Sequence, residues 1–180
     1  MKSDRLLFVI HKHHATSLHY DFRLQIGDVM PSWAIPKGPT LDPQFKRLAM
    51  PTTDHGLDYR TFEGNISEGK YGAGPVMIWD QGYYIPEKEI SKGVRETVDD
   101  YDDGQQTMKI GMEKGELKFQ LFGEKLRGSF ALIKTRGFGP KDSWLLIKHR
   151  DEHCKEGFDA KDYDTSAVSG KSLEEIRNTA

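Results

Sequence analysis

Residues 18–26 read Leu-His-Tyr-Asp-Phe-Arg-Leu-Gln-Ile and alternate apolar with polar at every step. A strict period of two belongs to a β-strand with one dry face, because successive strand side chains point to opposite sides. Leu18, Tyr20, Phe22, Leu24 and Ile26 share the dry face, and His19, Asp21, Arg23 and Gln25 share the other. An ordinary wet face carries Ser, Thr, Lys or Glu. This one carries an imidazole, a carboxylate and a guanidinium in a row. Same-face neighbours lie roughly 7 Å apart, so one ion with ligand bonds of about 2.1 Å is within reach of both His19 and Asp21. Arg23 stands one step further along, placed for an oxyanion held by that ion.

The alternation alone needs no more than an amphipathic strand. The residues around it point to a site. His11, His13 and His14 lie within eight residues of His19, and five of the seven histidines fall in the first 55 residues. His11 and His13 again share a strand face, with Phe8 and Ile10 on the other. A metal or phosphate site is expected in this region.

A chain of 180 residues can bury one good core. One domain over 1–150 followed by a tail over 151–180 is expected. Cys154 is the sole cysteine, which excludes an intramolecular disulfide. Leu6 to Ile10 is too short for a signal-peptide core or a membrane span, so a cytoplasmic protein with no membrane partner is expected. A net charge of −2 argues against nonspecific coating of nucleic acid. It leaves room for an enzyme that grips one strand end through a local basic patch. Lys37, Lys46 and Arg47 stand near the histidines, while Glu96, Asp99, Asp100, Asp102 and Asp103 cluster elsewhere.

Most of the remaining chain reads as short strands. After 6–12 and 18–26 come 32–35, stopped by Pro36-Lys37-Gly38-Pro39, and 47–50, ended by Pro51. The glycine-rich stretch 63–75 reads as loop, and its Glu63, Glu68 and Tyr71 as structural. It lacks the Gly-Lys-Ser ending that would make it a phosphate cradle. A strand at 76–79 is expected to turn back at Asp80-Gln81-Gly82. The acidic stretch 86–106 is expected to hold one helix near 90–101. Segments 116–122, 125–135 and 143–149 form a meander. Ser172-Leu173-Glu174-Glu175 fits a capping box that opens a short C-terminal helix. The pattern predicts an all-β, mostly antiparallel protein, best a compact β-barrel with short helices. Its polar lumen or crater would hold the His/Asp/Arg row, and the apolar row would pack against outer elements.

The runs HKHHATSLHYDFRL, SWAIPKGPTLDP, KRLAM, DHGLDY, FEGNISEGKYGAGPVMIWDQG, GELKFQLFGEKLRGSFALIKT and SWLLIKHRDE follow one another over about residues 5–150. In order and spacing they resemble the 3′-phosphoesterase domain of bacterial DNA ligase D, a family with free-standing archaeal and bacterial members. The resemblance implies a β-barrel hydrolase that depends on manganese or another divalent transition metal. It would act on nucleic-acid 3′ ends in end-joining repair. A phosphodiesterase step removes a terminal ribonucleoside and leaves a 3′-phosphate. A phosphomonoesterase step then leaves a 3′-hydroxyl. It further implies primer-template ends as partners, with a separate DNA ligase or end-joining factors, and a monomer.

Residue by residue, the resemblance makes His13, His19 and Asp21 metal ligands. It makes Arg23, His55 and Tyr59 catalytic and phosphate-site residues, with Lys37 and Arg47 as further anion contacts. His11 becomes a neighbour of the ligands, at a position where the family commonly carries Gln. Two imidazoles and one carboxylate leave coordination positions open for water and a phosphate oxygen. An arginine fork can clamp two oxygens, which lysine cannot. Ligase-fused members add acidic side chains from an N-terminal arm, of which only Asp4 has a counterpart here. Phosphatase action is therefore expected to weigh more than ribonucleoside removal. Stretch 86–106 is longer than the usual link.

Two other classes fit part of the pattern. An iron(II) oxygenase would use His19, Asp21 and His55 as a facial triad, and a noncatalytic module would only bind DNA ends. A nucleotidyltransferase is excluded by the missing Lys-x-Asp-Gly motif.

Overall fold

The computed structural model describes residues 5–179; Asp4 lies outside them. The chain runs β1 (Leu6–His14), β2 (Leu18–Leu24), β3 (Val29–Ile35), β4 (Arg47–Gly56), a 3-10 turn (Leu57–Thr61), β5 (Gly64–Ile66), β6 (Gly74–Ser91) and β7 (Val94–Thr97). It continues through α1 (Tyr101–Lys114), β8 (Glu116–Phe122), β9 (Arg127–Lys134), β10 (Trp144–Lys148) and, near the end, α2 (Leu173–Arg177). Eight strands pair in the order β1-β2-β3-β4-β10-β9-β8-β6, and β6 pairs back onto β1 to close the ring. Neighbours are antiparallel throughout. The closed ring leaves no free edge among these eight, which is how barrels avoid unpaired backbone.

The interior is apolar. Phe8, Ile10, Phe22, Leu24, Trp33, Ile35, Trp79, Phe119, Phe130, Leu132 and Leu146 belong to one buried cluster fed by strands all round the ring. Phe22 stacks across the barrel on Phe119 at 5.8 Å between centroids. The apolar row of β2 therefore fills the lumen, and the His19/Asp21/Arg23 row lies on the outer face. This corrects the expectation of a polar lumen. A ring this narrow is filled by its own side chains, here mostly Phe, Trp, Leu and Ile.

Three local expectations also change. Asp80-Gln81-Gly82 is not a turn: β6 runs unbroken through it for 18 residues. Gly82 is needed there because a Cβ would meet the Phe122 carbonyl oxygen at 2.0 Å. The stretch near 90–101 is a hairpin, not a helix. β6 turns at Gly93, in the left-handed region with φ 74°, and returns as β7. The helix begins instead at Tyr101, where the Asp100 side chain accepts the Asp103 amide. Pro51 does not end its strand; it sits opposite Trp33 within the β3–β4 pairing. Loop 63–75 contains β5.

Asp80 has a structural task. Fully buried, it accepts N–H bonds from Gln81 (3.0 Å), Glu124 (2.8 Å) and Leu126 (2.8 Å), pinning the turn before β9. Asp80→Ala strands these buried donors, and a loss of about 3 kcal/mol is expected. Urea unfolding checks it; an unchanged midpoint would show that water replaces the carboxylate.

The segment after β10 wraps back over the barrel. Phe158, Ala160 and Ile176 join the core cluster. α2 opens on the expected capping box of Ser172 and Glu175. Asn65 of β5 donates to the carbonyls of Ile176 (2.9 Å), Arg177 (3.2 Å) and Thr179 (3.2 Å). No helix is long and apolar enough to cross a membrane among the described residues.

Candidate metal centre and phosphate recess

The β1–β2 hairpin sets His13 directly opposite His19 and His11 opposite Asp21. On the outer face the two pairs are adjacent steps. His13, His19 and Asp21 consequently offer ligand atoms that all lie within 4.8 Å of one another, the only such trio among the described residues. Asp21 Oδ2 stands 3.3 Å from His19 Nε2 and 3.9 Å from His13 Nδ1.

The far sides of both rings fit a metal centre. His13 Nε2 lies 2.6 Å from the Gly72 carbonyl oxygen, and His19 Nδ1 lies 3.1 Å from that of Ser17. A carbonyl only accepts, so each ring keeps an N–H on that side and presents its other nitrogen to Asp21. Anchoring of the second nitrogen in this way is how proteins fix the tautomer of ligating histidines. Two nitrogens and one carboxylate oxygen, with space beside them, suit a divalent transition metal. His55 is outside the trio, so the His19–Asp21–His55 triad of an oxygenase is not assembled as a three-ligand set.

Arg23 is the next outward residue of β2 and is 3% exposed. Its Nε donates to His11 Nδ1 (3.0 Å), Nη1 to Ser32 Oγ (2.9 Å) and Nη2 to Asp21 Oδ2 (3.2 Å). A guanidinium has five N–H groups, so one on each Nη remains for a ligand. Burial resists ionisation of Asp21, but the His19 hydrogen bond and the Arg23 charge outweigh it and hold its pKa below the usual carboxylate value. The same hydrogen bond raises the pKa of His19. Burial lowers that of His13.

His11 completes the support. Its Nδ1 accepts from Arg23 and its Nε2 donates to the Phe62 carbonyl at 3.0 Å. Burial, then the Arg23 charge, lowers its pKa to about 3. It is thus a neutral spacer with one acceptor and one donor. A glutamine amide has the same pair of functions, so His11→Gln is expected to keep turnover within about threefold, while His11→Leu leaves Arg23 Nε unpaired and loses more than about tenfold. Equal activity of the two variants in a steady-state assay would remove His11 from this role.

The cover comes from the end of β4 and the turn after it. His55 stacks on Tyr59 at 4.1 Å and 12°, and Tyr59 on Phe62 at 5.3 Å. The Arg23 guanidinium carbon lies 5.0 Å from the centre of the Tyr59 ring. Burial, then Arg23, lowers the pKa of His55, and burial raises that of Tyr59. His55, Tyr59 and Arg23, with the candidate trio, wall a recess of about 610 Å³.

Lys37 and Arg47 do not line this recess. Lys37 is exposed at the turn after β3, and Arg47 Nε donates to the Gly38 carbonyl at 3.1 Å, bracing that turn. His14 is exposed and meets Arg177 at 2.7 Å. Sequence reasoning missed Ser32, which anchors Arg23, and the glycine-rich loop, whose Lys70, Tyr71 and Gly72 line the recess. The period-two pattern of β3 placed Ser32 on the outer face and was the available signal; the loop had none.

Known proteins are similar to this chain in sequence. The chain is 42% identical over 171 residues to the multifunctional non-homologous end joining protein LigD of Pseudomonas aeruginosa, covering 93% of this chain and 18% of that protein. It is 39% identical over 152 residues to the multifunctional non-homologous end joining DNA repair protein LigD of Mycobacterium tuberculosis, covering 84% and 17%. It is 41% identical over 145 residues to the LigD of Mycolicibacterium smegmatis, covering 81% and 17%. The chain thus spans less than a fifth of these relatives. The model of the DNA ligase D 3′-phosphoesterase domain matches residues 11–134, which take in the hairpin, its cover and the glycine-rich loop, and the chain belongs to that family.

Proposed function

We propose that this chain is a manganese-dependent phosphoesterase that restores 3′-hydroxyl ends of nucleic acid for end-joining repair. The observation that carries the reading is the trio His13, His19 and Asp21, with both rings oriented by carbonyls, set beside a buried Arg23 that has N–H groups to spare. The chemistry that a divalent ion held by the trio supplies is Lewis-acid polarisation of the phosphoryl group and acidification of water. Arg23 neutralises charge that builds on the phosphoryl oxygens, the main protein contribution to phosphoryl transfer. His55, neutral at pH 7, presents one N–H to a phosphoryl or leaving oxygen, and the Tyr59 hydroxyl presents another donor. Lys37 and Arg47, outside the recess, meet phosphates further along the strand.

The substrates proposed are a primer with one 3′-terminal ribonucleotide and a primer with a 3′-phosphate, and the partners a separate DNA ligase or end-joining factors. The test incubates each duplex with manganese, with magnesium and with chelator. Manganese-dependent conversion to a 3′-hydroxyl is expected. A folded protein that converts neither substrate with any divalent metal overturns the reading and leaves an end-binding module.

A further inference from the structure

We propose that Tyr71 is a stacking platform for a base at the 3′ end of the bound strand, with Lys70 beside it on the strand's backbone. The inference rests on reading the recess as a phosphoesterase site and adds what seats the nucleotide there. Tyr71 is 98% exposed, the most exposed large apolar side chain among the described residues. It nevertheless lines the recess together with His13, His19, Asp21 and Arg23. The rings of His55, Tyr59 and Phe62 already stack on one another. Tyr71 has no ring or cation partner among the described residues, so its faces are free.

The backbone that carries it is anchored. Gly69 and Gly72 flank it with φ of 84° and 75°, the left-handed region that reverses the chain on both sides and throws Lys70 and Tyr71 outward. Lys70 N bonds Ser67 O at 3.2 Å and Ala73 N bonds Lys70 O at 3.1 Å. The carbonyl of Gly72, the residue next to Tyr71, holds His13 at 2.6 Å. The backbone of Tyr71 is thus one residue away from a hydrogen bond to a candidate metal ligand. A recess of about 610 Å³ also exceeds what a lone phosphoryl group needs and falls in the range of about 300–1,000 Å³ typical of small-molecule sites. An aromatic face next to a cation is the common device for holding a single strand without reading its sequence, since every base has a π-face.

The test uses the full chain and its Tyr71→Ala, Tyr71→Phe and Tyr71→Trp variants. Tyr71 is exposed, so the fold is not at stake. The substrates are a 3′-phosphorylated primer-template and the same duplex with an abasic 3′-terminal nucleotide. Tyr71→Ala is expected to raise KM on the first by about tenfold with kcat within about twofold, and to leave the abasic substrate unchanged. Phe and Trp are expected to restore the KM. A separate readout needs no turnover: 2-aminopurine at the 3′ terminus, in metal-free buffer, is quenched by the wild type and by Tyr71→Phe but not by Tyr71→Ala. Equal KM for wild type and Tyr71→Ala, or an equal loss on the abasic end, overturns the proposal. A wild type that hydrolyses neither substrate overturns the phosphoesterase reading instead, and the quenching alone then decides the stacking.

Discussion

Asp21→Asn is expected to lower turnover of a 3′-phosphorylated primer by on the order of 10³-fold, and to weaken manganese binding measured by electron paramagnetic resonance. The reason is the sharing of one oxygen. Oδ2 of Asp21 faces His13 Nδ1, His19 Nε2 and Arg23 Nη2 at 3.9, 3.3 and 3.2 Å. It is at once a candidate ligand and the counter-charge that keeps a buried guanidinium in place. Asn keeps the volume and a carbonyl for Arg23 but removes the charge. Asp21→Ala is the harsher change: removing one partner of a buried ion pair costs about 3–5 kcal/mol, so its loss of activity mixes chemistry with stability. The amide variant separates them. If it folds, binds manganese normally and turns over within about threefold of the wild type, Asp21 is no ligand.

Arg23→Lys is expected to cost on the order of 10²-fold in kcat/KM, despite the conserved charge. Arg23 serves His11, Ser32 and Asp21 through three different nitrogens at 3.0, 2.9 and 3.2 Å. A lysine ammonium is a single point with three donors. If it satisfies Asp21, it abandons His11 and Ser32 in a buried layer and has no planar fork for the substrate. Steady-state kinetics on the 3′-phosphate substrate decides the matter, and a lysine variant within about threefold of the wild type would take the phosphate clamp away from Arg23.

The candidate trio was legible in the sequence because it is local. Three residues, Ala15 to Ser17, join β1 to β2, so the alternation that sorts faces also puts His13 opposite His19. The choice of which face points inward was not legible. A period of two is symmetric, and only the other strands, with their Trp33, Phe119 and Phe130, decide that the lumen is apolar. Asp80-Gln81-Gly82 has turn chemistry but serves mid-strand, since Gly82 answers to the Phe122 backbone and Asp80 to a loop more than 40 residues away. In the acidic stretch 86–106 the helix start is carried by Asp100, ten residues later than the expected start near residue 90. Loop 63–75 defeated the sequence for a different reason. Its contact with His13 is made by a backbone carbonyl, which every residue type possesses.

The hairpin and the ring differ in how far along the chain they reach. His13, His19 and Asp21 lie within nine residues of one another, whereas the ring closes by pairing residues 6–13 with 76–84. Hairpins of this kind form in about 1–10 μs, while barrels dominated by distant pairings fold in about milliseconds to seconds. On these timescales the hairpin that joins the candidate ligands is expected to form before the ring closes. The Gly72 carbonyl stands on the loop that leads into β6, the strand that closes the ring. A chain halted before residue 74 carries the candidate ligand trio but lacks β6 and, with it, the closed ring.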